Sequence, residues 1–315
     1  MTSFLPCTAG RRFFHAVWSG KNDAFLLFSR NWLAICRKYD IINVEINISE
    51  EIYMKLGMIR FPNEDGFKYL AKRELEFMEV CCNSDEDSRY FIEHKDEIKG
   101  YIDQYKVPVQ SVGRWNAAPI RDGKLCCEAM ELQKNLMAAV AGVGSPVFVC
   151  GCAYDDSVSL YKNYCLAVEY FGALVEEAKK YDGMKVAVYN CDWGNFVCTD
   201  EQWKIVLGEI PELMLKYDCS HSFSRNQDYI AELNTWMSRV AHMHIKGVAK
   251  VNADSVDNPP AGMDSIDWPT VFSLIYRYGY DAGLSIEPHS SIWQGALGEA
   301  GIDYTIRYMK PFILR

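Results

Sequence analysis

The sequence predicts an α/β protein folded as a single (β/α)₈ barrel, and three observations predict it. Short runs rich in β-branched and aromatic residues alternate with amphipathic stretches of helical length. Eight such runs can be counted, each followed by a helical stretch, which is the pattern that closes a parallel barrel. The glycine-rich turns GxGxxG and GxxxxGKS/T, which an open doubly wound sheet usually carries after its first strand, are absent. The expected architecture is therefore a TIM barrel without a second domain.

Taken in order, strands are expected at 12–18 (RFFHAVW), 42–48 (INVEINI), 107–115 (VPVQSVGRW), 146–153 (PVFVCGCA), 185–191 (KVAVYNC), 213–220 (LMLKYDCS), 240–247 (VAHMHIKG) and 282–289 (AGLSIEPH). Helices are expected at 23–38, twice within 66–104, and at 127–141, 158–180, 200–208, 226–238, 268–278 and 297–310. Residues 49–105 contain what reads as an insertion between the second and third strands, and the pattern leaves its structure open. No low-complexity tract or Pro/Gly-rich linker divides the chain.

Composition narrows the function. Of 315 residues, 49% are hydrophobic and 24% charged, which suffices for one large core. Lys+Arg 33 against Asp+Glu 42 leaves a net charge of −9. Without a basic run, that balance argues against nucleic acid and anionic lipid as partners. The opening MTSFLPCTAGRRFF is not built like a secretory signal, and no stretch approaches the ~18 apolar residues of a membrane span. The expected compartment is the cytoplasm. The 12 cysteines lie mostly in apolar runs and lack zinc-knuckle spacing, so they are expected to be free thiols.

The polar residues of the strands gather at their C-terminal ends, where barrel enzymes keep their chemistry. They are His15 and Trp18; Asn43, Glu45 and Asn47; Arg114-Trp115-Asn116; Tyr189 to Trp193; Asp218 and His221; His242, His244 and Lys246; and Glu287 and His289. Period-two spacing puts Asn43, Glu45 and Asn47 on one face, and likewise His242, His244 and Lys246. Any one of these could be a core residue. So many ionisable groups at one mouth carry a desolvation cost that structure alone rarely justifies.

Three segments also carry a family likeness. LMLKYDCSH (213–221) matches the form hhhDxxH, where h is apolar, and VAHMHIKG (240–247) matches hxHhHhK. The run AGMDSIDWPTVFSLIYRYGYDAGLSIEPH (261–289) matches a longer element that ends in GYxGxhxhE. Through them the C-terminal half resembles the xylose-isomerase-like barrel superfamily, which includes sugar phosphate isomerases/epimerases, ketose 3-epimerases, inosose dehydratases and endonuclease IV. The resemblance implies a divalent metal held by Asp218, His244 and Glu287, with Mn²⁺ favoured and Mg²⁺, Co²⁺ or Zn²⁺ also suited to that donor set. It places Glu287, His221 and His242 among the catalytic candidates. His15, Glu45, Arg114, Trp115, Tyr189, Trp193, Lys246 and His289 are the candidates for contact with substrate.

One position departs from the family. Where its fifth strand reads hhhEN, this chain reads VAVYN (186–190), with Tyr189 at the place of the Glu. The metal would then keep three protein ligands, or take another from Asp192 or Asn190. The activity implied is metal-dependent isomerisation or epimerisation of a sugar or keto-sugar through an enediolate. The alternative is a lyase resembling the barrel subunit of C-glycoside deglycosidases, which cleave 3-oxo-glycosides with a smaller partner subunit. Homo-oligomer and hetero-oligomer both remain open.

Overall fold

The computed structural model describes residues 53–314, and within them eight parallel strands close a barrel. The strands are β1 (Lys55–Ile59), β2 (Met78–Cys82), β3 (Val109–Arg114), β4 (Val147–Cys150), β5 (Lys185–Tyr189), β6 (Met214–Asp218), β7 (Val240–Ile245) and β8 (Gly283–Ile286). Hydrogen bonds link them in the order β1-β8-β7-β6-β5-β4-β3-β2, and β1 pairs with β2 to complete the ring. Strands such as VFVC and VAHMHI are buried at every position, as a barrel covered by helices requires.

The last six strands lie where the alternation placed them, each shorter by a few residues. The first two do not. The barrel takes β1 and β2 from the stretch read as an insertion, with the helix α1 (Glu64–Lys72) between them. The expected elements at 12–18, 23–38 and 42–48 lie outside the described residues. The error has a physical cause. INVEINI alternates cleanly, whereas KLGMI and MEVCC are five-residue runs buried on both sides, and a doubly buried strand shows no period. Pairing with β8 and β3 determines them instead.

Helices α2 (Asp85–Glu93) and α3 (Lys95–Tyr105) follow β2. Ser84 and Asp87 form a capping box that starts α2 right at the C-terminal end of β2. The remaining outer helices are α4 (Cys127–Gly142), α5 (Leu160–Ala178), α6 (Asp200–Glu209), α7 (Cys219–Ser224), α8 (Tyr229–Trp236), α9 (Trp268–Arg277) and α10 (Gly295–Met309). Their apolar faces cover the outside of the barrel with Phe67, Leu136, Phe171, Trp203, Leu233, Phe272 and Ile306. A separate, smaller cluster fills the barrel interior: Trp115, Val147, Val149, Ala187, Tyr189 and Ala241.

Gly113 makes that interior possible. A Cβ there would sit 1.5 Å from the Trp115 ring, so only glycine lets the indole fold back across β3. Every described cysteine is a free thiol, and no described helix is long and apolar enough to cross a membrane.

Candidate functional site

At the C-terminal mouth β6, β7 and β8 build a charged wall, which Glu79 of β2 meets from across the barrel interior. Its centre is His244, fully buried on β7. His244 Nε2 lies 3.0 and 2.9 Å from the two carboxylate oxygens of Glu79 on β2, and Nδ1 lies 3.0 Å from Glu287 Oε2. With a carboxylate at each nitrogen, both must donate, so the ring is an imidazolium. Burial works against that charge, but Glu79 and Glu287 outweigh it and raise the pKa to about 10. Glu79 is itself buried, which alone would push its carboxyl up. The imidazoles of His244 and His242 hold it well below the usual range.

Asp218 ends β6 on the other side of His244. Asn190 clamps its backbone: Asp218 N–H donates to Asn190 Oδ1 at 2.9 Å, and Asn190 Nδ2 donates to the Asp218 carbonyl at 2.8 Å. The side chain accepts from Ser220 N–H through Oδ1 at 2.8 Å. That leaves Oδ2 buried and without a hydrogen bond among the described residues, 3.7 Å from His244 Nδ1 and 3.4 Å from His221 Nε2. Despite burial, His244, Lys246 and Lys216 keep Asp218 ionised. Glu287 is likewise held down, against its burial, by Lys246 at 3.3 Å and by His244. His221 is the neutral member, pushed down to about 3 by burial even though Asp218 opposes the shift.

The ligand atoms of Asp218, His244 and Glu287 lie within 4.8 Å of one another. Two hard oxygens and one imidazole suit a divalent cation, and the orphaned Oδ2 is a donor lacking an acceptor. These residues fit a metal, which would have to displace the proton on His244 Nδ1. Glu79, His242 and His244 form a second such group, sealed beneath the first.

The opposite wall is aromatic and uncharged. Trp115 and Tyr189 stack with ring centroids 5.1 Å apart and planes inclined by 5°. Between the walls is a cavity of 640 Å³ lined by Trp115, Lys216, His221, Lys246, Glu287, His289, Trp193 and Trp293, among others. That is enough volume for a monosaccharide.

Most of the expected site residues meet here, with corrections. Lys246, His221, Trp115, Trp193 and His289 line the cavity, with Trp193 and His289 at its exposed rim. His242 does not. It lies one layer deeper than His244, fully buried, with Nε2 2.9 Å from Glu79, so direct acid/base work is out of its reach. Tyr189 is also sealed off: its hydroxyl donates to the Trp193 carbonyl at 2.9 Å and accepts from Asn116 N–H at 3.1 Å. It supports Trp115 and offers nothing to a metal. Asn190 is committed to its clamp, and Asp192 is exposed outside the cavity lining. Arg114 lies on the other side of the chain from the Trp115 indole, donates to the Trp115 carbonyl, pairs with Asp85 at 2.7 Å and lines a separate hollow. His15 and Glu45 lie outside the described residues.

Two residues escaped the sequence reading. Glu79 was hidden because its strand was missed, although a lone acid inside MEVCC is itself a signal. Lys216 stands two residues before Asp218 in LMLKYD, and period two would have put both on the inward face.

Comparison with known proteins agrees with the geometry. The family model described as xylose isomerase-like TIM barrel matches residues 67–312. Among curated proteins, an inosose dehydratase of Lactiplantibacillus plantarum is 29% identical over 161 residues, covering 45% of this chain and 51% of the relative. The chain therefore spans about half the length of the curated relative it matches. Among solved structures, 3-keto-D-glucoside 4-epimerase from E. coli superposes with a TM-score of 0.66 at 14% identity, covering 82% of this chain and 99% of that one. D-allulose 3-epimerase from Methylomonas sp. gives 0.64 at 13%, covering 83% and 98%. A probable 3-DHS dehydratase from Bacillus anthracis gives 0.63 at 11%, covering 82% and 99%. At such identities these structures speak for the fold alone.

Proposed function

This chain belongs to the xylose isomerase-like TIM barrel family, and from that premise we propose that it moves a proton beside the carbonyl of a sugar or keto-sugar, with a divalent cation on Asp218, His244 and Glu287. The observation that carries the reading is the convergence of those three donors around the orphaned Asp218 Oδ2, next to a sugar-sized cavity that Glu287 lines. The sugar epimerases among the structural neighbours and the inosose dehydratase support the substrate class. A cation held there would supply Lewis acidity towards carbonyl and hydroxyl oxygens, and Mn²⁺ suits the mixed donors.

The chain's own residues do the rest. Glu287 Oε2 is engaged by His244 and Lys246, which leaves Oε1 as the oxygen able to take a proton from carbon. Lys246 keeps that carboxylate ionised, and Glu79 fixes the His244 ring so that Nδ1 faces Asp218 and Glu287. His221, neutral beside the cavity, is the group able to pass a proton to or from a substrate hydroxyl. Trp115 offers a flat apolar face to the sugar ring and excludes water behind it.

Incubation of keto sugars in D₂O tests this. Wild-type protein should exchange substrate hydrogen for deuterium, and Glu287→Gln should slow exchange roughly 10²–10⁴-fold while still binding. Undiminished exchange in that variant would discard the proposal.

One observation favours a second reading. Asp218 and Glu287 stand on the wall of β6, β7 and β8, Glu79 is sealed beneath His244, and Tyr189 leaves β5 without the acid expected there. Epimerisation by two bases needs a group on each face of the substrate, whereas isomerisation, dehydration or β-elimination needs one base and a separate acid. The lyase alternative, acting on a 3-oxo-glycoside with a smaller partner subunit, is the form in which one-sided chemistry would cleave a bond. A dehydrated or cleaved product, in place of an epimer, would select it.

A further inference from the structure

We propose that Lys216 receives a carboxylate of the substrate, so that this mouth takes a sugar acid in preference to a neutral sugar. The inference rests on the reading of the cavity as a sugar site and names the class of sugar. Lys216 projects from β6 on the same inward face as Asp218 and is 1% exposed, yet its side chain lines the cavity. Of the other cations lining the cavity, Lys246 is matched by Glu287 at 3.3 Å, while Arg60 stacks on Tyr69, 3.6 Å from the ring centroid, with Nε and Nη2 lacking a hydrogen bond among the described residues. Beneath them His244 is matched by Glu79 and Glu287. The Lys216 ammonium makes no hydrogen bond, and no ion pair within 4.0 Å, with any described residue. It stands 5.9 Å from the centroid of the Trp115 ring, on the seam between the two walls.

A buried ammonium with no ion pair within 4.0 Å is costly to maintain, and the carboxylates whose fields reach it, Asp218 and Glu287, are bound to other partners. Its missing partner is an anion that enters the cavity. The surroundings select the kind. Phosphate sites gather several donors, commonly an arginine fork or the N–H groups opening a helix. Lys216 is a point charge beside a flat indole, Arg60 lines the same cavity with its guanidinium stacked on Tyr69, and Asp218 and Glu287 repel a dianion more than a monoanion. A planar, singly charged carboxylate lying along Trp115 fits, with the sugar carbonyl turned towards Asp218, His244 and Glu287.

The test is calorimetric titration of the full chain, with Mn²⁺ present, against D-fructuronate, D-fructose and D-fructose 6-phosphate. The uronate should bind about tenfold tighter than fructose or better. Lys216→Met should bring that ratio close to one, and Lys216→Arg should keep most of it. Equal binding of uronate and fructose by the wild-type chain overturns the proposal, as does a preference that survives in Lys216→Met. Tighter binding of the 6-phosphate than of the uronate overturns the carboxylate in favour of phosphate. Should Lys216→Met not fold, the wild-type comparison and Lys216→Arg still decide. Deuterium exchange into fructose without preference for the uronate leaves the proposed function standing and removes this assignment, and no binding of any of the three removes both.

Discussion

The two walls of the barrel mouth are built from the same kind of strand and solve opposite problems. On the wall of β6, β7 and β8, with Glu79 reaching in from β2 across the interior, three carboxylates, an imidazolium and two ammonium groups are brought together. On the wall of β3, β4 and β5, Trp115, Val149 and Tyr189 close-pack, with the Tyr189 hydroxyl turned to backbone partners. The first arrangement is expensive to desolvate and holds only because most of its charges face partners. The second is inexpensive and rigid. Barrel geometry fixes strand spacing on both sides, so the chain can concentrate chemistry on one wall and use the other as a surface to press substrate against.

Substitutions should separate the walls by what they damage. The largest effect is expected at Glu79. Replacing it by Leu strands the His244 imidazolium without the carboxylate at its Nε2, at a cost of about 3–5 kcal/mol in urea unfolding. A variant as stable as wild type would mean that the sealed layer is not an ionic keystone. Next comes Trp115→Ala on the aromatic wall, where lost packing should cost about 3 kcal/mol, the low end for a buried tryptophan because one edge faces the cavity. Its Mn²⁺ affinity should stay close to wild type, and a large loss would erase the division between walls.

The third effect is a pH dependence. The His244 pKa is raised in the folded protein, from 6.5 to about 10, so its protonated form stabilises the fold fully below pH 6.5. That contribution fades as pH rises towards 10. A cation at Nδ1 must displace the same proton, so Mn²⁺ affinity should rise about tenfold per pH unit between pH 7 and 9. Calorimetry in buffers across that range reads the slope, and a flat response would remove His244 from the ligand set. Smallest is Tyr189→Phe, which deletes one hydroxyl from the aromatic wall. It should cost about 1 kcal/mol of stability and leave cation affinity alone. A marked fall in affinity would make the tyrosine oxygen a ligand after all.

Much of this site was legible before any coordinates. Asp218, His221, His244, Lys246 and Glu287 were marked by period-two spacing at strand ends and by the family likeness, and all five belong to the mouth. Other readings failed for local reasons. Arg114 and Trp115 are neighbours on one strand and therefore face opposite ways, a distinction a residue cluster in the sequence does not display. Tyr189 has the right address for a ligand, but its hydroxyl is turned towards Trp193 and Asn116.

The sequence by itself determined the alternation of strands and helices from residue 107 onwards, because side-chain periodicity and turn chemistry are local properties. It also determined that β6, β7 and β8 end in carboxylate and imidazole side chains. Which strands open the barrel, and what lies beneath His244, were decided only by tertiary structure. Glu79 and His244 are 165 residues apart and meet because closing the ring carries β2 around to face β7 across the interior. No local pattern encodes that meeting. It depends on strand order and on the height of each side chain within the barrel, and these exist only once the ring has closed.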